Sequence, residues 1–260
     1  MTIILILLRF RLYAFLFFLF HSNTCICQID SANSLQFNDA KIKFHQKVLR
    51  KELILPVTFM TFGVVSIKNP YIKTQNTLMR DNLQDDHLGN FPIDDYTQYL
   101  PAASYFALDL MGVRAKHKLK SRLYAAAFSH ALMAGAVNLM KGSIPITRPD
   151  FSANNSFPSG HTATAFVGAE LIWQEYSHQS IWYGIGAYSI AAGTGFFRMY
   201  NNRHWFSDVV MGAGIGILCT KTAYWLMPIV EDKFLKKKNP YLLYPSYQTG
   251  QVMVNFSYKL

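Results

Sequence analysis

Apolar stretches of membrane-spanning length are the feature that most constrains how this chain can fold. Six of them follow one another after Glu52, at about 53–67, 97–113, 122–140, 161–176, 181–200 and 205–227. About 20 residues of helix cross the hydrocarbon core of a bilayer, and the shorter stretches can extend into their flanks. In hydrocarbon every backbone polar group needs an internal partner, which favours helices. The sequence therefore predicts an all-α fold, a polytopic membrane helical bundle with about six transmembrane helices.

The charge distribution agrees with a membrane protein. Only 15% of the residues are charged, whereas about a quarter are charged in an average soluble protein. The net charge of +10 comes from basic residues bunched at 41–51, 114–122 and 233–238, each beside an apolar stretch. Such bunches are typical of cytoplasmic loops. The chain has no basic stripe interleaved with aromatic residues and no nucleic-acid-binding motif, so we expect the bilayer and not a nucleic acid as its partner.

The flanking segments suggest four regions. These are a signal-like or anchor segment at 1–27, a polar N-terminal region at 28–52, a membrane domain at 53–230 and a basic, strand-like tail at 231–260. A cleaved signal peptide would place residue 28 outside, whereas the basic bunch at 41–51 favours the inside. Either the first segment is not processed in this way, or 53–67 does not fully span the membrane. Both alternatives stay open.

Two shorter segments have their own patterns. The polar segment 71–95, with scattered apolar residues, favours a short amphipathic helix at the bilayer surface. Asp94 and Asp95 at its end are interpreted as first-turn or capping acids of the following helix. The final residues QVMVNFSYKL alternate between apolar and polar and predict a strand.

Three polar clusters stand at the ends of apolar stretches. They contain Lys141 and Arg148; Ser159, Gly160 and His161; and Arg198, His204 and Asp208. If 114–122 is cytoplasmic, the third and fifth stretches both run outward, so all three clusters meet at the non-cytoplasmic face. Cations can hold a phosphate there, and histidines can attack its phosphorus or protonate a leaving oxygen. We therefore expect one site for a phosphorylated membrane lipid.

The spacing within the clusters refines their chemistry. His204 and Asp208 are four residues apart, hence on one face of a helix, where the carboxylate can orient the imidazole. Ser159 can be the N-cap of a helix whose first backbone N–H groups point at the phosphate. Arg203 is ranked below the other cations because nothing in the sequence sets its direction.

The cysteines suggest no metal site. Cys25, Cys27 and Cys219 lack the spacing of zinc ligands and do not make an even-numbered disulfide framework. Cys219 lies within an apolar stretch and is interpreted as a small core residue.

Taken together, the three clusters resemble the tripartite motif of the type 2 phosphatidic acid phosphatase family, which is related to the vanadium haloperoxidases. The matching elements are Lys141 with Arg148-Pro149, then Pro158-Ser159-Gly160-His161, then Arg198 with His204 and Asp208. One departure is Phe197, which stands where the family often has a serine.

That resemblance implies a fold and a role for each motif residue. The fold would have the family's phosphatase/haloperoxidase-like core. His204 would form a phosphohistidine and Asp208 would orient it, while His161 would protonate the departing oxygen. Lys141, Arg148, Arg198 and the amides of Ser159 and Gly160 would bind the phosphate. No metal or other cofactor would be required.

These expectations describe a lipid phosphatase of a bacterial inner membrane with its active site facing the periplasm. Lipid A, undecaprenyl diphosphate, phosphatidylglycerophosphate and phosphatidic acid stay open as substrates. A phosphotransferase using the same site and a catalytically silent phosphate-lipid-binding protein are the alternatives. A haloperoxidase is disfavoured because that family resembles soluble helical proteins. The oligomeric state is left open.

Overall fold

The computed structural model describes residues 51–85, 89, 91–231, 241–248 and 251–258. The predicted segment 1–27 and nearly all of the polar region 28–52 lie outside the described residues. The helices are α1 (Lys51–Ser66), α2 (Pro70–Asp85), α3 (Asp94–Thr97), α4 (Leu100–Leu110), α5 (Leu119–Ser143), α6 (Gly160–Tyr176), α7 (Ile181–Tyr200) and α8 (Phe206–Val230). The predicted helical fold is confirmed.

Not every predicted span is long enough to cross a bilayer. By length and composition, two described helices qualify, α5 and α8, and a third span is possible if α1 and α2 count as one. Helices α1 and α2 meet at an angle of 97°, as in a broken span or a re-entrant loop. Of the predicted stretch 97–113, the 11-residue helix α4 forms the main part, and it ends just before Gly112, whose φ of 89° suits glycine. The count of six transmembrane helices is therefore not confirmed.

The C-terminal tail forms a hairpin. Strand β1 (Tyr241–Gln248) pairs antiparallel with β2 (Gln251–Tyr258), with Tyr241 opposite Tyr258 and Gln248 opposite Gln251. The predicted strand is confirmed as β2. Its partner β1 supplies the backbone hydrogen bonds that a lone strand would lack.

Helix α6 is central to the helical part because it packs against α4, α5, α7 and α8. Two glycines let α8 approach it closely. A Cβ on Gly212 would lie 2.5 Å from the Ser159 carbonyl oxygen, and one on Gly216 would lie 2.5 Å from that of Ala163. Small residues allow such backbone contact between apolar helices. The close approach brings the first turn of α8 against the first turn of α6.

The basic bunch 114–122 lies at the start of α5, the opposite end of that helix from the loop 144–159. Arg114, Lys116, Lys118 and Lys120 are exposed. Arg122 is instead buried and pairs with Asp109 at 2.7 Å. A helix of this length extends about 37 Å. The exposed basic residues and the loop that bears Arg148 are therefore separated by roughly the thickness of a bilayer.

Candidate active site

The three sequence clusters meet where α6, α7 and α8 begin or end. Arg198 lies in the last turn of α7, His204 in the short loop before α8, and His161 in the first turn of α6. Lys141 is in the last turn of α5. The charges of Arg198 and Lys141 both act on His204, so these side chains share one neighbourhood. The tertiary fold thus brings together the residues that the sequence placed at one face.

Ser156 lies beside both His204 and Asp208. The His204 Nδ1 is 3.6 Å from the Asp208 Oδ2, too long for a direct hydrogen bond. The Ser156 hydroxyl donates to the Asp208 Oδ2 at 2.5 Å and is 3.5 Å from the His204 Nδ1. The backbone N–H of Trp205 also donates to the Asp208 Oδ2, at 3.0 Å. The carboxylate is therefore fixed on the Nδ1 side of the imidazole, which leaves Nε2 as the nitrogen available for attack.

The surroundings of His204 keep its imidazole neutral. Burial lowers the pKa of His204 to about 4, and the positive charges of Arg198 and Lys141 act in the same direction. Asp208 opposes this shift because a nearby carboxylate favours the imidazolium. A neutral imidazole has the lone pair that a nucleophile needs.

Two cations of the first cluster are held by one asparagine. The Lys141 Nζ donates to the Asn155 backbone carbonyl at 2.5 Å, and the Arg148 Nε donates to the Asn155 Oδ1 at 3.1 Å. Within the described ranges neither cation forms an ion pair with a carboxylate. Burial lowers the pKa of the Arg148 guanidinium, and the charge of Arg198 lowers it further. The site therefore combines mutually repelling cations that an anion would stabilise.

The acidic pair on α3 completes the site. Asp94 is 1% exposed, and its Oδ2 accepts a hydrogen bond from the Arg198 Nη1 at 2.5 Å. Its Oδ1 accepts one from the Asn201 Nδ2 at 2.7 Å. The Asp95 Oδ1 is 2.9 Å from the His161 Nε2. Both acids do lie in the first turn of α3, but the interpretation of their side chains as helix-capping groups is wrong.

Arg198 nevertheless retains one open donor. Its Nε is buried and has no hydrogen-bond partner among the residues that the structure describes. A buried donor without a partner is costly, and an oxygen of a bound anion would satisfy it. The Asp208 Oδ1 is likewise buried without a partner in the described part of the chain.

The direction of Arg203 is set by the tertiary structure. Its Nη1 donates to the Asp150 Oδ2 at 3.0 Å, an acid that the sequence analysis did not consider. Arg203 is thus neutralised by a partner, which agrees with its lower rank as a phosphate ligand.

Ser159 is the N-cap residue of α6, as predicted, but its polar groups are engaged. Its hydroxyl is 2.9 Å from the Thr162 hydroxyl, and its N–H donates to the Asp208 carbonyl at 3.0 Å. This last bond joins the second motif to the third. A phosphate would have to compete for the Ser159 amide, so its predicted role in binding stays a prediction, as does that of Gly160.

One group of side chains has the composition of a metal site. Ligand atoms of Asp94, Asp95 and His161 lie within 4.8 Å of one another. The guanidinium of Arg198 already occupies this position and pairs with Asp94 at 2.5 Å. Because a metal ion there would be repelled by that positive charge, these donors suit the Arg198 guanidinium better than a metal ion.

Sequence reasoning missed Asp94, Asp95, Asn155 and Ser156 as members of the site. Asn155 and Ser156 directly precede the Phe157-Pro158-Ser159-Gly160-His161 run, and that proximity was the available signal. The acidic pair had a weaker signal, because two acids before an apolar stretch are ordinary at the start of a helix.

The comparison with protein families agrees with this arrangement. Residues 123–231 match the model of the PAP2 superfamily. The matched region includes all eight predicted site residues, and the resemblance stated from the motifs is confirmed. Asp94 and Asp95 lie outside the matched PAP2 region.

Similar proteins are known. A lipid A 1-phosphatase of Porphyromonas gingivalis is 41% identical over 139 residues, which are 53% of this chain and 31% of that protein. The chain thus spans about a third of the length of this relative. Two solved structures are similar. LpxE of Aquifex aeolicus has a TM-score of 0.43 and 21% identity, covering 56% of this chain and 93% of that one. A PAP2 type phosphatidylglycerolphosphate phosphatase of Bacillus subtilis has a TM-score of 0.48 and 20% identity. The match covers 71% of this chain and 99% of that one.

Proposed function

We propose that this protein is a metal-independent phosphatase of membrane lipid phosphates or diphosphates that acts through a phosphohistidine. The observation behind the proposal is a site in which two cations have no carboxylate ion-pair partner among the described residues and a third retains an open donor. The side chains of Lys141 and Arg148 donate to oxygens of Asn155, and the buried Nε of Arg198 has no partner in the described part of the chain. A phosphate supplies oxygens for all three, with arginine suited to bidentate contact.

The chemistry has two steps. The Nε2 lone pair of His204 attacks phosphorus, the bond from phosphorus to the lipid oxygen breaks, and His161 gives a proton to that oxygen. A water molecule then attacks the phosphohistidine, giving a proton to His161, and the bond from phosphorus to nitrogen breaks to release phosphate. Asp208, held by Ser156, stabilises the positive charge that develops on the imidazole. Lys141, Arg148 and Arg198 stabilise the phosphoryl oxygens.

Lipid A is the substrate to test first. The relative that is 41% identical over 139 residues is named for lipid A 1-phosphatase activity. Undecaprenyl diphosphate, phosphatidylglycerophosphate and phosphatidic acid have the same reacting group and form the rest of the panel.

The location proposed is a bacterial inner membrane with the site facing the periplasm. Two features support it. The exposed basic residues before α5 lie at the end of that helix opposite Arg148, and cytoplasmic loops are rich in such residues. Candidate spans α5 and α8 both have one end at the site.

Phosphate release from the lipid panel tests the proposal. We expect the purified protein in detergent to release inorganic phosphate from at least one of the four lipids, and to do so equally in the presence of a chelator. Release from none of them would overturn the proposed function, and transfer of the phosphoryl group to an alcohol in place of water would favour the phosphotransferase. The same assay on intact spheroplasts with a membrane-impermeant phosphate ester reports which face has the site.

The pH dependence of kcat/KM provides a further expected result. Because burial lowers the pKa of His204 from 6.5 to about 4, the nucleophile stays neutral in moderately acidic solution and becomes protonated only below that value. We expect the acid limb of the profile near pH 4 and an alkaline limb where His161 loses its proton. The measurement is kcat/KM for a soluble phosphate ester across both limbs. An acid limb at the ordinary histidine value of 6.5 would contradict this prediction.

A further inference from the structure

The loop between α5 and α6 presents an aromatic side chain at the edge of the site. Phe151 is 77% exposed, and its φ is 59°, in the left-handed region. Bulky residues rarely adopt that conformation, and glycine or asparagine would adopt it at lower cost. Phe151 is therefore unfavourable in water for two reasons: its apolar ring is exposed, and its backbone conformation is strained. Such a residue therefore calls for a functional reason.

The turn that presents Phe151 is fixed to the catalytic loop, residues 201–205, which bears His204. The Phe151 N–H donates to the Arg148 carbonyl at 3.0 Å. The preceding Asp150 accepts from the Ser152 N–H at 3.0 Å and from its hydroxyl at 2.6 Å. The other oxygen of Asp150 accepts from Arg203 at 3.0 Å, next to His204. These bonds impose the strained conformation and place the phenyl ring three residues from a phosphate-binding arginine.

The loop lies at the level where the candidate spans end. Candidate span α5 ends at Ser143, eight residues before Phe151, and candidate span α8 begins at Phe206, beside the catalytic loop. Residues just beyond the end of a span lie at the membrane interface, where Trp and Tyr are enriched and where surface segments bury Trp, Phe and Leu. On α3, Tyr96 follows the Asp95 that contacts His161 and is also 77% exposed. Exposed aromatic rings therefore flank the site on two separate elements.

We propose that Phe151 inserts into the acyl region of the bilayer at the edge of the active site. This inference rests on the proposed function, since it explains how the site meets a phosphate that is attached to a lipid. Insertion removes the exposed ring from water and keeps Arg148 at the depth of lipid phosphate groups. The strained turn then has a purpose: it directs the ring outward while its backbone stays bonded to the site.

The test compares two substrates with one variant. Phe151→Gly removes the ring and relieves the strain, so the fold is retained. In reconstituted vesicles we expect kcat/KM for a long-chain lipid phosphate to fall about tenfold, the effect of losing burial of one large apolar side chain. For p-nitrophenyl phosphate, which is soluble, we expect no change. Met111→Ser is the matched control, because Met111 is also 77% exposed but caps the C-terminal end of α4, and neither substrate should respond to it.

An equal loss for both substrates, or a loss for neither, would overturn the proposal. A second measurement does not depend on activity. In Phe151→Trp, the tryptophan fluorescence in excess of that of the parent protein comes from residue 151. It should be quenched by phospholipids brominated in their acyl chains and shielded from iodide in the water. The opposite pattern would place residue 151 in water and overturn the insertion. If the ring inserts but no lipid of the panel is hydrolysed, only the proposed function fails.

Discussion

Replacing His204 by alanine is expected to lower kcat for phosphate release by about four orders of magnitude or more, as the loss of a nucleophile does in other enzymes with covalent intermediates. The side chain is buried between Ser156, Asp208 and the cations, and no other described histidine has the same environment. Removing it deletes the atom that would bond to phosphorus. The measurement is inorganic phosphate released by purified variants at saturating substrate.

His178 provides a matched control for this substitution. It is exposed and lies beyond the C-terminal end of α6, whereas the site lies at the N-terminal end. His178→Ala should retain parental activity. A His204→Ala variant that stays within tenfold of the parent would exclude the phosphohistidine route. Rapid quenching with labelled substrate adds a direct observation, because only proteins that retain His204 should trap an acid-labile phosphoryl group.

Replacing Asp94 by alanine is expected to destabilise the protein by about 3–5 kcal/mol, the effect of leaving one member of a buried ion pair alone. Asp94 is 1% exposed and pairs with Arg198 at 2.5 Å. Without it, only the more distant Asp95, at 3.8 Å, pairs with Arg198. The guanidinium then loses its orientation, so phosphate release should fall as well. The measurement is the free energy of unfolding in detergent, followed by denaturant titration.

Asp81 is the control for this prediction because it is also paired with an arginine, but in solvent. Its side chain is 50% exposed and lies 2.5 Å from Arg80. Exposed pairs of this kind contribute about 0–1 kcal/mol, so Asp81→Ala should change stability little. If the Asp94 and Asp81 variants were equally stable, Asp94 would have no structural role. Added inorganic phosphate should stabilise the Asp94 variant, because the anion replaces part of the lost negative charge.

Much of the site was predictable because its members occur in short, local patterns. His204 and Asp208 are separated by one helical turn, and Ser159 and His161 stand directly at the start of α6. The cations Lys141, Arg148 and Arg198 could be assigned to the same face because each stands at the end of an apolar stretch. Local spacing and span topology were sufficient for these residues.

The transmembrane count could not be predicted in the same way. Apolar composition identified helices, but α4 has only 11 residues of the predicted span 97–113, and α1 meets α2 at 97°. A membrane-spanning helix and a helix buried in the protein core can have the same apolar composition. The two differ in helix length and in packing, and both of these depend on where the backbone turns.

The sequence by itself determined the helical class of this protein, the strand at its C-terminus and the motif residues of the proposed phosphate site. The tertiary structure alone decided which acids lie at that site and how His204 is held. Asp94 reaches Arg198 across 104 residues, and Ser156 reaches Asp208 across 52. Periodicity and spacing report on residues that are neighbours in the chain. The pairing of a buried charge depends instead on which side chains the folded helices bring within 3 Å or so, and no local pattern encodes that.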